Sequence, residues 1–209
     1  MTQHAAMNET SLSLLNRLRR SPDSECWERL AQLYSPLIRS WLRRYDVQSS
    51  DVDDLLQEVL LAVSKEIDRF EHAGRAGAFR SWLKTILINR LRRFWRARKN
   101  GPGLERLSRI DDRLEQLSDP ASELSLVWNR DHDRYVLRQL MAVAEPNFEA
   151  ATWTAFCRVA LEGTDPGLVA KQLGISRNAV IIAKSRVLNR LRRESDGLIE
   201  SSSGFLANS

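Results

Sequence analysis

The chain of 209 residues carries 32 lysines and arginines against 27 acids, a formal net charge of +5, with a pI near 9.6; that balance favours nucleic acid or an anionic surface as partner and suits one or two domains with real cores. Two cysteines far apart in sequence, Cys26 and Cys157, exclude a disulfide framework and read as buried thiols, and three scattered histidines give no metal-ligand spacing. No apolar run approaches the roughly 18 residues of a membrane span, and without a signal peptide the expected location is the cytoplasm, with no membrane insertion.

Residues 1–20 read as an N-terminal extension, disordered at first and then a short amphipathic turn on Leu12, Leu15 and Leu18. Ser21-Pro22 can start a helix in which Trp27, Leu30, Leu33, Tyr34, Leu37, Ile38, Trp41, Leu42 and Tyr45 recur at three and four residue steps. Pro36 is expected to kink it. Arg39, Arg43 and Arg44 give its far end a positive face, either solvated or directed at a partner.

Ser49 or Ser50 is the expected cap of an acidic helix, with Asp51, Asp53 and Asp54 in its first turn, where the helix dipole favours negative charge. Val52, Leu55, Leu56, Val59, Leu60, Val63, Ile67 and Phe70 form one apolar face, and Leu61 falls opposite it among Asp54, Gln57, Glu58 and Lys65. That is the pattern of a docking surface, although an isolated exposed leucine is also ordinary. A loop with Gly74 and Gly77 exposes His72 and Arg75. From Phe79 to Lys99 follow eight basic side chains and no acid. Phe79, Trp82, Leu83, Ile86, Leu87, Leu91, Phe94 and Trp95 recur there at helical spacing and suit a core, while Phe79 and Trp82, nearest the loop, are placed to face a base. The acidic helix would repel phosphate within a Debye length of roughly 8 Å, so two different partners are implied.

Asn100-Gly101-Pro102-Gly103 ends the basic helix. Residues 101–123, acidic on balance and closed by Pro120, read as a flexible linker with at most marginal helix on Leu104, Leu107, Ile110, Leu114 and Leu117. A second helical domain spans 124–194. Within it, residues 148–161 form an apolar-faced helix ended by Gly163, and residues 165–180 carry a helix-turn-helix pattern: Ala170 and Gly174 permit a close crossing, Ser176 caps the second helix, and Val180 anchors it. An ordinary helical hairpin would fit the same pattern, but Lys171, Arg177, Lys184, Arg186, Arg190, Arg192 and Arg193, with no acid from 168 to 193, favour the DNA-binding version. Residues 195–209 read as a disordered tail. The fold expected is all-α, two small helical domains joined by a flexible acidic linker.

With these blocks placed, the chain resembles a group IV (extracytoplasmic function) sigma factor of bacterial RNA polymerase. Asp54-Leu-Leu-Gln-Glu-Val59 is similar to the core of sigma region 2.2, Phe79-Arg-Ser-Trp-Leu83 to region 2.3, and the segment from Leu168 to Arg192 to region 4.2. The resemblance spans about residues 25–99 and 124–194, making 21–100 region 2 and 124–194 region 4. It implies core polymerase as partner, through the β′ clamp helices and the β flap, and promoter DNA. Asp51, Asp54, Leu55, Gln57, Glu58 and Leu61 would meet the clamp. His72, Arg75, Phe79, Arg80, Trp82, Lys84, Asn89, Arg90, Arg93 and Arg96 would take the −10 element as single strand, stacking aromatics offsetting the few kcal/mol of unstacking. Ser176, Arg177, Asn178, Ala179, Ile182, Lys184, Ser185, Arg186 and Arg190 would read the −35 element.

One departure from the family pattern is present: Ile181, Ile182 and Ala183 separate Ala179-Val180 from Lys184-Ser185-Arg186, which the commonest group IV motif joins directly. No zinc-binding anti-sigma motif is found, so any anti-sigma factor or other regulator would be a separate protein. No cofactor is implied. No Ser/His/Asp set, metal cluster or glycine-rich phosphate loop can be assembled, which argues against an enzyme. The alternative reading is a helix-turn-helix regulator acting without polymerase, which would have no need of the acidic helix.

Overall fold

Helical periodicity dominates the chain, and the computed structural model, which describes residues 14–20, 24–70, 77–98, 104–195 and 198, contains helices and no strand among them. α1 (Leu14–Arg20), α2 (Ser24–Arg44), α3 (Ser49–Glu66) and α4 (Ala78–Ala97) make the first half. The expected cap on α3 differs: Ser49 and Ser50 lie inside the helix, and the capping position is Gln48, whose side chain makes no cap hydrogen bond. The start expected at Ser21-Pro22 lies outside the described residues. α2 continues through Pro36 as one helix. Gln32, whose carbonyl would accept from the missing amide four residues on, is solvent-exposed together with Pro36, so water can serve the orphan group.

The apolar faces of α2, α3 and α4 meet in one core, built on Leu30, Tyr34, Ile38, Trp41, Val52, Leu56, Val59, Val63, Phe79, Leu83, Leu87 and Leu91. Each fully buried large side chain contributes about 1.5–3 kcal/mol of transfer free energy before entropy is charged against it.

The spacer expected as a tether is a helix, α5 (Leu104–Ser118), that lies against α4. Ile110, Leu114 and Leu117 are sealed into the same core. Their spacing of four and three residues gathers the apolar side chains into one stripe and leaves the acids on the solvent side, which explains how an acidic segment can still dock. α6 (Glu123–Ala144) begins with Ser122 as cap, its Oγ accepting from the Ser125 amide. α6 also belongs to this core as far as Val136, through Trp128 and Val136, and Trp128 meets Trp41 of α2 edge-on at 4.7 Å. Of the expected tail, Ser195 is the last residue of the final helix and Leu198 is buried against the first core, while residues 196, 197 and 199–209 lie outside the described residues.

The second half of α6 turns to another core, with α7 (Ala150–Phe156), which continues into a π-helical turn at Cys157–Leu161, and with α9 (Arg177–Ser195). α8 (Pro166–Leu173) starts on Asp165, whose carboxylate accepts from the amides of Gly167 and Leu168. Gly174 follows at φ 68 in the left-handed region, and Ser176 Oγ accepts from the Ala179 amide to cap α9. A Cβ at Gly174 would meet nothing within 4 Å, so glycine is required there by the turn and not by close crossing of the helices. Val169, Ala170, Val180 and Ala183 close the helix-turn-helix core. Cys26 is buried and Cys157 half-buried.

Candidate functional site

The outer face of α3 carries Asp54, Gln57, Glu58 and Leu61 in solvent, with Leu61 54% exposed. Beside it, Glu58, Leu61, Ala62 and Lys65 of α3 and Arg90 and Arg93 of α4 line a cleft of about 260 Å³. An exposed leucine flanked by a carboxylate on its own helix and guanidinium groups on the next can seat an apolar side chain between charges of both signs. Two residues assigned to this surface from sequence are placed otherwise. Leu55 is 2% exposed, because it falls on the apolar stripe of α3 and packs inward. Asp51 is half-buried and accepts from Arg98 at 2.7 Å, while Asp53 accepts from Arg39 at 2.9 Å. Arg39 and Arg44, on the positive end of α2, are both held in ion pairs, the latter with Asp131.

On α4 the division between interior and surface is sharper than helical spacing indicates. His72 and Arg75 lie outside the described residues. Phe79 is fully buried among Tyr34, Phe70 and Trp82, so it cannot stack on a base. Trp82 is half-buried on the rim of that aromatic cluster, 4.9 Å from Phe70, and keeps part of its ring accessible. Arg80 and Lys84, expected on DNA, are buried. Arg80 donates to the Asp133 carboxylate and Lys84 to Ser125 Oγ, both on α6. Burial, with Arg80 nearby, lowers the pKa of Lys84.

A third polar link completes this seam. His132 of α6 is buried, its Nδ1 2.9 Å from Asp133 and its Nε2 3.3 Å from the Tyr34 hydroxyl. The geometry fits a neutral imidazole that donates to the carboxylate and accepts from the phenol. Desolvation lowers the pKa of His132 against the upward pull of Asp133.

The surface left to α4 is a stripe of Ser81, Thr85, Asn89, Arg93 and Arg96, all exposed, with Arg90 half-buried beside it. Ser81 and Thr85 escaped the sequence reading, which sought aromatic and basic side chains; steps of four residues back from Asn89 and Arg93 would have found them.

Along α9, Arg177, Asn178, Ile181, Ile182, Ser185, Arg186 and Asn189 are exposed, whereas Val180, Ala183, Val187 and Leu191 form the inward face. Ser176 is exposed and engaged as the cap. Ala179 and Lys184 are half-buried at the flanks. Arg190 is half-buried and paired with Glu194 one turn on, so it is the least available of the expected DNA contacts.

The comparisons agree with this arrangement. A family model described as Sigma-70 region 2 matches residues 30–101, the segment that holds most of α2 and all of α3 and α4. A curated relative, the "ECF RNA polymerase sigma factor SigF" of Caulobacter vibrioides, is 28% identical over 175 residues, covering 81% of this chain and 87% of its own length. The chain is thus similar to sigma-70 region 2 over residues 30–101 and, over most of its length, to a sigma factor of the extracytoplasmic function group. The region 2 match ends just beyond α4, and the helix-turn-helix of α8 and α9 follows α6 and α7 in the chain. No helix among the described residues is long and apolar enough to cross a membrane.

Proposed function

We propose that this chain is a sigma factor that directs promoter-specific initiation of transcription: it docks on the β′ clamp helices of core polymerase through Asp54, Gln57, Glu58 and Leu61, captures the −10 strand on the α4 stripe with Trp82 at its head, and reads the −35 element with the exposed face of α9. The observation that carries the reading is the cleft between α3 and α4, where exposed Leu61 and Glu58 face Arg90 and Arg93. On this reading the docking face of α3 and the phosphate-attracting stripe of α4 meet along that cleft. Arg93 and Arg96 suit backbone phosphates, and Trp82, near the start of α4, is the one half-buried member of its otherwise buried aromatic cluster. α9 offers Arg177 and Asn178 at its N-terminal end, where side chains reach base edges in the major groove, and a bidentate contact there discriminates by about 1–3 kcal/mol. Any anti-sigma factor is a separate chain.

The test is core binding by the Glu58→Arg variant, measured by competition for polymerase. Affinity is expected to fall at least tenfold while duplex binding by the helix-turn-helix half persists; unchanged core affinity contradicts the docking face.

A further inference from the structure

We propose that Ile181 and Ile182 are specificity-determining residues that pack on thymine methyl groups, so that the −35 element selected by this sigma factor carries thymine opposite the middle of α9. The proposal rests on the reading of α9 as the −35 helix and adds the base chemistry that it prefers.

Ile181 and Ile182 are 46% and 48% exposed. They have no structural duty that explains them, because Val180, Ala183, Val187 and Leu191 already complete the inward face of α9. Leu126, Val143 and Leu168 are comparably exposed, but each stands alone, as scattered surface apolar residues do. The two isoleucines are adjacent, one turn inside the helix start at Arg177, on the part of a recognition helix that reaches base edges. Ile182 lies one turn beyond Asn178, and Ile181 one turn beyond Arg177.

An isoleucine offers neither donor nor acceptor. Of the groups that line the major groove, the C5-methyl of thymine is the apolar one, and it is absent from the other three bases. β-Branched side chains are also nearly fixed at χ1 in a helix, so little rotamer freedom is lost when they dock. The surroundings favour DNA over an apolar protein groove as occupant. From 168 to 193 there are seven cations and no acid, and the first acid beyond, Glu194, is paired with Arg190. That field attracts a polyanion and carries the isoleucine pair into the groove.

The experiment uses holoenzyme made from the full chain and bacterial core polymerase. The −35 element is first selected from duplexes randomised in that region. Each thymine of the winning element is then replaced singly by deoxyuridine, which removes the methyl group and changes no hydrogen-bonding atom. With the unaltered protein, at least one replacement is expected to weaken promoter binding about fourfold, the factor equivalent to about 0.8 kcal/mol for one buried methyl-sized group. In the doubly substituted Ile181→Ser, Ile182→Ser protein that sensitivity is expected to shrink below about twofold, with binding to the deoxyuridine element otherwise retained. An element without thymine, indifference to deoxyuridine, or equal sensitivity in the serine variant overturns the proposal while leaving α9 as the reader. If no upstream element is selected, and Arg177→Ala and Asn178→Ala change nothing, the reading of α9 itself fails and the proposal with it.

Discussion

Arg80 of α4 donates to the carboxylate of Asp133 on α6, with side chains only 5% and 13% exposed, so a cation from the most basic stretch of the chain is held inside the fold. Removing one partner of a buried pair costs about 3–5 kcal/mol, more than the pair itself contributes. Asp133→Asn is therefore expected to lower stability by about 3 kcal/mol, a fall in melting temperature of roughly 6–12 °C for a chain of this size. Asp53→Asn breaks an exposed pair with Arg39 and should cost less than about 1 kcal/mol. Thermal denaturation of both variants checks this; equal losses would show that burial of the Arg80 pair carries no weight.

The imidazole beside that pair makes the seam sensitive to pH. Burial holds the pKa of His132 below the ordinary 6.5, so the folded chain resists a proton that the unfolded chain accepts. The contribution of His132 is complete above about pH 6.5 and is lost as pH falls from there toward its folded value, at up to about 1.4 kcal/mol per pH unit. His132→Gln is expected to be less stable at pH 7.5 but to lose less on going to pH 5.5. Parallel slopes for the two proteins in denaturant titrations would refute the assignment.

Gly77 precedes α4 at φ 71, and a Cβ there would lie 2.7 Å from Nη2 of Arg80, which Asp133 pins in place. Gly174 has nearly the same backbone, φ 68, and open space around it. Alanine at Gly174 should cost only the left-handed backbone penalty, about 1–2 kcal/mol. Alanine at Gly77 adds a collision with a fixed side chain and should cost more. Chemical denaturation ranks them, and a Gly174→Ala variant as damaged as Gly77→Ala would contradict the steric account.

Trp82 alone of its aromatic cluster is partly accessible, near the start of α4, so Trp82→Ala should impair strand opening by at least tenfold while closed-complex binding changes less than about twofold. Thymine reactivity to permanganate reports the first, and competition binding the second. Equal loss in both would remove base capture from this residue.

Much of this was legible in the chain because local rules decide it. The outward position of Leu61, the cap at Ser176 and the inward Val180 all follow from spacing within a single helix or turn. What spacing could not supply was the partner of each exposed-looking face. Arg80 and Lys84 are basic residues on a basic helix, and nothing local separates them from Arg93; their burial is decided by Asp133 and Ser125, which arrive from α6 across the intervening α5. α5 itself was obscured by its acids, since composition points to a solvated tether while the stripe of Ile110, Leu114 and Leu117 points to docking. Leu55 shows the opposite conflict: it shares a motif with the docking residues but stands on the inward stripe, and packing prevails.

A sigma factor must give core polymerase a promoter. Transcription by bacterial core enzyme, with and without the purified full-length chain, on templates randomised across the −35 and −10 regions measures this directly. The predicted result is run-off transcript only with the chain present, from templates enriched in two spaced elements, and loss of that transcript with Glu58→Arg. Binding to duplex DNA without core association, and no chain-dependent transcript from any template, would contradict it and leave a helix-turn-helix regulator in its place.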